Sequence, residues 1–304
     1  MFVDSDHEIG TRPGTLIIPD DAPSTRILVH QYDADSTTLL KLSDPAQLEP
    51  LLQVGRNIWV DVRGFGNEEA IRSVAALFDL HPVALESAIN GPQRAKTELY
   101  QNHQLVIARA PRISDADELE APQVCFIIGK QFLLTFQEQS YGFFEPVRDR
   151  LRDGLGPMRS QGPDYLAYAL IDAMIDHYYP VAQRLSEDLE ELEDFIVENP
   201  HPDVLLRIQW LRRQLVVLRR VGRPQREAIV ALTRDGSPFI GEKERVYLRD
   251  TYEHIAQIVE LIDSSREMAS DLADAYLSNV SHRTNEIMKV LTLMASIFIP
   301  LTFI

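Results

Sequence analysis

The stretch KERVYLRDTYEHIAQIVELIDSSREMASDLADAYLSNVSHRTNEIMKV, residues 243–290, decides the fold, because it contains neither glycine nor proline. The pattern continues to Ile304, with Pro300 as its only helix-breaking residue. Such a run predicts one helix of about 60 residues, roughly 90 Å long at about 1.5 Å per residue. A helix of that length cannot bury itself in a small domain. It indicates a coiled coil, an oligomeric stalk or a segment that enters a membrane.

Acidic residues form a stripe along this helix. At about 100° per residue, six of them share an arc of about 80°. They are Glu253, Glu260, Asp263, Glu267, Asp271 and Asp274. Two interpretations stay open: the stripe faces solvent, or it faces a water-filled cavity that gathers cations.

Asp250 and His254 lie beside the acidic stripe, one helical turn apart. A carboxylate suits hard cations and an imidazole suits softer ones, so the pair is able to share a divalent ion. A plain hydrogen bond between the two side chains is the alternative. The spacing alone does not decide between them.

The last residues of the helix are apolar. From Val290 to Ile304 every side chain is apolar or carries a small hydroxyl. This run gives about 22 Å of helix, whereas the hydrocarbon core of a bilayer is about 30 Å thick. If this apolar run were exposed to water at the C-terminus of a natural protein, it would favour aggregation. We therefore expect the chain to stop inside a membrane-spanning segment, with a buried terminal helix as the alternative.

The first half of the chain alternates between strand-like and helical patterns. Over residues 1–162 it predicts a layered α/β domain in which helices pack on a sheet. The predicted strands are Thr15–Ile18, Arg26–Tyr32, Asn57–Val62, Gln104–Ala108, Val124–Ile128 and Phe132–Gln137. Asn67 is a predicted helix N-cap, because Glu68 and Glu69 follow it in the first turn. Asp115–Pro122 is polar and predicts a hairpin loop.

Two long helical patterns follow Gly162 and Pro163. The first covers 164–198, a break lies at 199–203, and the second covers 204–233. They predict an antiparallel helical hairpin within residues 163–236, with the stalk helix in 237–304. Acidic residues are concentrated at the end of the first helix, and arginines are concentrated in the second. This asymmetry predicts cross-helix ion pairs, or a charged lever that responds to cations.

The composition excludes several classes of protein. The net charge of −16 argues against nucleic-acid binding, which needs a basic face. The acidic N-terminus has no apolar core, so a signal peptide is not expected. The single cysteine, Cys125, allows no disulfide within the chain. There is no glycine-rich phosphate loop and no nucleophile elbow, so an enzyme is not expected.

The C-terminal stretch SHRTNEIMKVLT, residues 281–292, followed by IFIPLTFI, residues 297–304, resembles the first membrane helix of the CorA-type magnesium/cobalt transporters. Further positions that look like family positions are spread over nearly the whole chain. They include Pro13–Leu16, Leu80–Pro82, Gln93–Lys96, Phe136–Glu138, Pro146–Arg148 and Asp164–Leu166.

The resemblance implies a homopentamer in the cell (inner) membrane, with both termini of each subunit in the cytoplasm and two membrane helices. It also implies that residues 1–162 form a three-layer α/β/α domain with a mixed sheet. The family's Gly-Met-Asn signature would follow Ile304. We therefore expect residues 1–304 to be the cytoplasmic sensor and part of the pore, without conduction of their own.

The resemblance also implies cation sites between subunits, with Mg²⁺ as regulator and cargo and Co²⁺ as a further cargo. The metal positions are Asp250, His254, Glu86 and Asp172. Ser87 stands where the family has a carboxylate, which predicts weaker binding. The implied pore-lining positions are Asp274, Asn285, Met288, Leu291, Ile299 and Thr302. Bound cations would hold the closed state, and their loss would loosen the stalks.

Two alternative functions stay open at this point. One is the zinc-transporting branch of the same superfamily. The other is a soluble coiled-coil scaffold whose apolar tail binds a partner. Flux assays with each ion would separate the first from magnesium transport, and the full reading frame would test the second.

Overall fold

The computed structural model of the protein describes residues 10–114, 117–198, 201–234 and 236–302. The strands are β1 Arg26–Tyr32, β2 Thr37–Leu42, β3 Asn57–Arg63, β4 Lys96–Leu99, β5 Gln104–Arg109, β6 Arg112–Ile113, β7 Leu119–Glu120, β8 Gln123–Ile128 and β9 Phe132–Gln137. The α-helices are α1 Leu48–Leu52, α2 Glu68–Leu77, α3 Pro82–Ile89, α4 Glu145–Asp153, α5 Pro163–Asp176, α6 Tyr178–Glu198, α7 Pro202–Thr233 and α8 Glu242–Leu301.

Seven of the strands form one sheet in the order β2-β1-β3-β9-β8-β5-β4. The central β3 and β9 are parallel, and the other neighbouring pairs are antiparallel. The sheet is therefore mixed, as predicted. The short β6 and β7 pair separately as a hairpin.

Helices cover both faces of this sheet, because successive side chains of a strand point to opposite sides. On β3, Trp59 packs into a core shared with α4 and α5. Its neighbour Val60 packs into a second core shared with α2 and α3. The predicted three-layer α/β/α arrangement is confirmed.

The predicted strands agree with the structure in five of six cases: β1 and β9 have the predicted bounds, and β3, β5 and β8 differ by one residue at one end. The strand predicted at Thr15–Ile18 is wrong. The Asn90 amide takes the place of a partner strand there, accepting from Ile17 N at 2.8 Å and donating to Thr15 O at 2.8 Å. The N-cap prediction is confirmed, since Asn67 accepts a hydrogen bond from the Ala70 amide.

The helix predicted over 164–198 is two helices, α5 and α6. Pro180 explains the break, because its nitrogen cannot donate to the carbonyl of Asp176 and its ring crowds that carbonyl. His177 occupies the junction, and its Nδ1 lies 2.7 Å from the Ala173 carbonyl oxygen.

Several predicted features fall partly outside the described residues. These are the N-terminal residues 1–9, positions 115 and 116 of the predicted hairpin loop, positions 199 and 200 of the predicted break, and the last residues 303 and 304. The strands β6 and β7 on either side of 115–116 do pair as a hairpin.

The predicted long C-terminal helix is confirmed as α8, which contains 60 residues. The chain divides into two compact units, residues 1–179 with 220–258, and residues 180–219 with 259–304. The predicted domain limits at 163 and 237 stay predictions. Within the described part of the chain, no helix combines the length and apolar character needed to cross a membrane.

Candidate functional site

Asp172 and Thr251 connect α5 to α8 in the first unit. Thr251 is fully buried, and its hydroxyl donates to Asp172 Oδ1 at 2.7 Å. Burial raises the pKa of the Asp172 carboxyl, although the hydrogen bond from Thr251 lowers it. The neighbouring carboxylates of Asp176 and Asp250 raise this pKa further, and His254 opposes them. Asp172 is thus a partly buried carboxylate that lacks a full positive counter-charge.

Asp250 and His254 lie next to this carboxylate on α8. Asp250 Oδ2 and His254 Nε2 are 3.8 Å apart, which is too long for a hydrogen bond. Their side chains are 70% and 47% exposed. The plain hydrogen bond considered from the sequence is therefore not formed, and both groups face outward. Their oxygen and nitrogen atoms fit a hard or borderline divalent cation.

The described residues contain no group of three or more His, Cys, Asp or Glu side chains placed to hold a metal ion. Asp172, Asp250 and His254 are close enough to influence one another electrostatically. They do not form a closed set of ligands around one point. A cation here would need water or another chain to complete its coordination.

Glu86 and Ser87 lie on α3, which packs on the sheet face opposite to α5. The sheet separates them from Asp172, so Glu86 and Asp172 of one chain cannot bind the same ion. Glu86 Oε2 accepts from the Gly14 amide at 2.6 Å. Gly14 has φ +87°, and a Cβ there would lie 2.7 Å from Pro82 Cβ, so glycine is required for this approach.

Ser87 is 4% exposed and has a charged neighbour. Lys96 Nζ donates to Ser87 Oγ at 3.3 Å and to Glu98 Oε1 at 2.8 Å. The Lys96 ammonium group thus lies next to the Ser87 hydroxyl, where a cation would otherwise bind. A positive charge at this point disfavours a second cation, which adds to the weaker binding predicted from serine alone.

The acidic stripe of α8 is not uniform. Glu253, Glu260, Glu267, Asp271 and Asp274 are exposed. Asp263 differs, because Arg219 Nε of α7 lies 2.6 Å from its Oδ1 and Arg266 NH1 lies 3.6 Å away. Across the α6–α7 pair, Arg207 also contacts Asp188. One ion pair of the predicted kind therefore joins the two hairpin helices, and a second joins α7 to α8.

Five of the six predicted pore positions lie on α8, Thr302 follows directly after the helix ends at Leu301, and all six are exposed. At about 100° per residue they fall within an arc of about 120°. These positions are Asp274, Asn285, Met288, Leu291, Ile299 and Thr302. Beyond Lys289 the helix is apolar on every side, since Leu293, Ile297 and Phe298 are also more than half exposed.

Sequence reasoning missed three contacts of the site: Thr251 with Asp172, Arg219 with Asp263 and Lys96 with Ser87. Only Thr251 carried a usable signal. It occupies the apolar face of α8 with Leu248, Ile255 and Ile258, and a hydroxyl on such a face indicates a buried hydrogen-bond partner. The other two contacts depend on how separate elements pack: Arg219 and Asp263 are 44 positions apart, and Ser87 and Lys96 lie on α3 and β4.

The protein thus combines an α/β/α domain and long helices with exposed side chains that form only part of a cation site. Residues 55–304 match the family described as CorA-like Mg²⁺ transporter protein. This match covers most of the chain, which therefore belongs to that family.

Individual relatives agree with this assignment. The chain is 37% identical over 298 residues to the cobalt/magnesium transport protein CorA of Thermotoga maritima, covering 97% of this chain and 85% of that protein. It is 27% identical over 179 residues to the zinc transport protein ZntB of Yersinia enterocolitica, covering 59% and 53%. The complete CorA magnesium transporter of Methanocaldococcus jannaschii has the same fold, with a TM-score of 0.74 at 21% identity over 91% of this chain and 84% of that one.

Proposed function

We propose that the protein is a subunit of a homopentameric channel for divalent cations, with Mg²⁺ as the main cargo and Co²⁺ as a further one. The observation that carries this proposal is the 37% identity with a cobalt/magnesium transport protein over almost the whole chain. Family membership favours transport over a soluble scaffold. It equally favours transport over enzymatic catalysis.

We place the apolar end of α8 in the cell (inner) membrane and the rest of the chain in the cytoplasm. Its support is the exposure of apolar side chains all around the helix beyond Lys289. Such a surface is costly in water and is stabilised by lipid or by neighbouring subunits.

The six pore-lining positions are supported by their common arc: five lie on α8, and Thr302 follows its last residue with a helical hydrogen bond to the Phe298 carbonyl. In a pentamer, this arc would face the axis and repeat five times. Rings of Met288 and Leu291 would then close the ion path along this axis by excluding water. A ring of Asp274 would concentrate cations on the cytoplasmic side of this constriction. Ile299 would extend the apolar constriction.

The regulatory site would lie between subunits. Asp250 and His254 face outward, and Asp172 lies behind them with a raised pKa. Glu86 lies on the opposite sheet face, so it could join these groups only from a neighbouring copy. A bound Mg²⁺ would neutralise these carboxylates and favour the closed arrangement, and its loss would restore like-charge repulsion.

The test is growth of a bacterial strain that lacks its own magnesium uptake systems. Expression of the complete reading frame that contains this chain should restore growth at low external Mg²⁺. Restored growth under zinc limitation in a zinc-uptake mutant, without any magnesium effect, would instead favour the zinc-transporting branch. Restoration of neither would contradict a transport function.

A further inference from the structure

The first unit contains a groove of about 710 Å³ on the sheet, far from the acidic stripe in sequence. Its floor is the part of the β2-β1-β3 surface that α4 leaves uncovered. Its walls are the segment 23–25 and the residues 138–140 after β9. The volume falls within the range of small-molecule sites, about 300–1,000 Å³.

The groove is lined by positive charge although the whole chain carries −16. Its cationic lining residues are Arg26, Lys41, Arg63 and Arg148, and its carboxylates are Glu138 and Glu145. Counting the buried Asp61 of the floor, four positive charges face three negative ones. In a strongly acidic protein, a local excess of positive charge focuses the field toward anions.

Arg63 and Arg148 are fixed in place by Asp61. Its Oδ2 accepts from Arg63 Nε at 2.7 Å and from Arg148 NH2 at 2.8 Å. Its Oδ1 accepts from Thr135 at 2.8 Å and from Gln137 at 2.7 Å. This fully buried carboxylate therefore has all four acceptor positions occupied. Arg148 NH1 also contacts Glu145 Oε1 at 2.5 Å, so two carboxylates balance the two guanidinium groups. The positive excess of the groove therefore comes from the two cations at its rim.

Arg148 is further positioned by aromatic rings. Its guanidinium carbon lies 5.3 Å from the Trp59 ring centre and 5.7 Å from that of Phe144. Its Nε is buried and has no hydrogen-bond partner within the described chain. His30 stacks on Trp59 at 4.7 Å. Burial and the charge of Arg148 lower the pKa of His30 to about 4, so His30 adds an uncharged surface to the floor.

Arg26 and Lys41 differ from these fixed groups. They are exposed at the rim, on β1 and β2, and neither forms an ion pair with any carboxylate in the parts of the chain that the structure describes. Between them lie Leu28 and the half-exposed Leu39, which give the groove an apolar surface. Two free cations above an apolar floor suit a ligand that has an anionic end and an apolar or aromatic body.

One wall of the groove is rigid. Gly66 N donates to Pro23 O at 2.8 Å. A Cβ at Gly64 would lie 2.4 Å from Ser24 O, and the φ of this glycine is +79°. Only glycine allows the two segments to approach so closely. The shape of the groove is therefore fixed before any ligand binds, which lowers the entropic cost of binding.

We propose that this groove binds the polyphosphate group of a small molecule, with Arg26 and Lys41 at the phosphates, Arg63 and Arg148 held by ion pairs in the floor, and Leu28 and Leu39 under the rest of the ligand. The proposal concerns a site on the sheet and is independent of the transport function.

The experiment measures binding of ATP and of inorganic tripolyphosphate by titration calorimetry, in EDTA at low ionic strength so that divalent cations do not bind the probes. We expect the Arg26→Ala/Lys41→Ala variant to weaken binding by about tenfold or more, because charge-assisted hydrogen bonds are lost. Lys130→Ala removes an exposed lysine elsewhere and serves as the matched control. Both changes are at exposed positions and leave the core intact.

Two results would support the proposal, and they distinguish a nucleotide ligand from a free polyphosphate. Tighter binding of ATP than of tripolyphosphate assigns a nucleotide, and equal binding assigns a free polyphosphate. In both cases the double variant must weaken the binding and Lys130→Ala must not. Absence of binding to both probes at millimolar concentration, or binding that the double variant leaves unchanged, overturns the proposal.

Discussion

Asp250 and His254 are the residues on which the proposed sensor depends most. Both side chains point outward and do not bond to each other, so they are available to a cation. Their proximity to Asp172 places three potential ligands in one electrostatic neighbourhood without forming a complete site. This arrangement is typical of a site that water or a second chain completes, and not of a site that a single chain encloses.

The first prediction concerns this pair. In the Asp250→Ala/His254→Ala variant, protection of the chain against proteolysis should require about tenfold more Mg²⁺ than in the unchanged chain, or be lost. Loss of an outer-shell partner alone costs about ten- to 100-fold in metal affinity, and loss of direct ligands should cost at least as much. The measurement is the cleavage rate across a Mg²⁺ titration.

Glu49→Gln is the matched control for this prediction, since it removes an exposed carboxylate of α1 in another part of the first unit. Its Mg²⁺ dependence should equal that of the unchanged chain. Equal protection of all three proteins would show that Asp250 and His254 do not hold the regulatory ion.

The second prediction uses the raised pKa of Asp172. The folded chain holds this proton more tightly than the unfolded chain does, so stability falls as the pH rises from the unfolded pKa through the folded pKa. Asp172→Asn keeps an acceptor for Thr251 and removes the titration. It should therefore raise the free energy of unfolding at about pH 7 and have a much smaller effect at about pH 3.

Denaturant unfolding at the two pH values measures this effect, with Asp20→Asn in an exposed loop as the control. A loss of stability at neutral pH would mean that the Asp172 charge is compensated in the folded chain. A gain of the same size at both pH values would mean that titration of Asp172 is not its cause.

At the scale of elements, α8 combines two kinds of acidic residue. Asp263 is paired with Arg219 and is about one-third exposed, whereas Glu267 is exposed one turn further along the stripe. The third prediction follows from this contrast. Asp263→Asn should lower stability by at most about 1 kcal/mol, because partly exposed ion pairs contribute little.

Glu267→Gln should act in the opposite direction and raise stability by a few tenths of a kcal/mol, because like charges at three- and four-residue spacing repel. Both variants are compared by denaturant unfolding without divalent cations. The repulsive stripe would be contradicted if Glu267→Gln destabilised the chain as much as Asp263→Asn.

The sequence predicted elements best where the pattern was strong and local. Buried strands such as β1 and β9 have near-continuous apolar runs, and α8 has a long stretch without breakers. The edge strands β2 and β4 escaped prediction because their residues are largely half-exposed and lack a clear apolar run. Propensity contributes little to such strands compared with their pairing to a neighbour.

The wrong strand at Thr15–Ile18 has a different cause. Its residues favour extended backbone, and the backbone there does form hydrogen bonds. The partner is the side chain of Asn90, 73 positions from Ile17, which no local pattern reveals. The contacts of Arg219 with Asp263 and of Lys96 with Ser87 escaped prediction for the same reason, since both depend on tertiary packing.

At the scale of the whole molecule, the resemblance to a transporter family rested on motifs spread along the chain, and membership of the family is confirmed. The metal and pore residues stay predictions, because each depends on the proposed assembly of several chains. A single chain positions the outward-facing groups but does not complete their coordination.

The fourth prediction concerns that assembly. Light scattering of the chain in mild detergent should give a larger mass with millimolar Mg²⁺ than with EDTA, approaching five copies, since cations between subunits reduce the repulsion of acidic surfaces. The Asp250→Ala/His254→Ala variant should require more Mg²⁺ for the same mass. An identical mass in Mg²⁺ and EDTA would contradict a cation-stabilised interface.

The most direct test of divalent-cation transport is flux into liposomes that contain the purified product of the complete reading frame and a Mg²⁺-sensitive dye. The account predicts rapid Mg²⁺ entry when Mg²⁺ is added outside to liposomes that contain none, and slower entry when millimolar Mg²⁺ also bathes the cytoplasmic face. Liposomes without protein provide the baseline. Mg²⁺ entry no faster than that baseline would contradict the central claim.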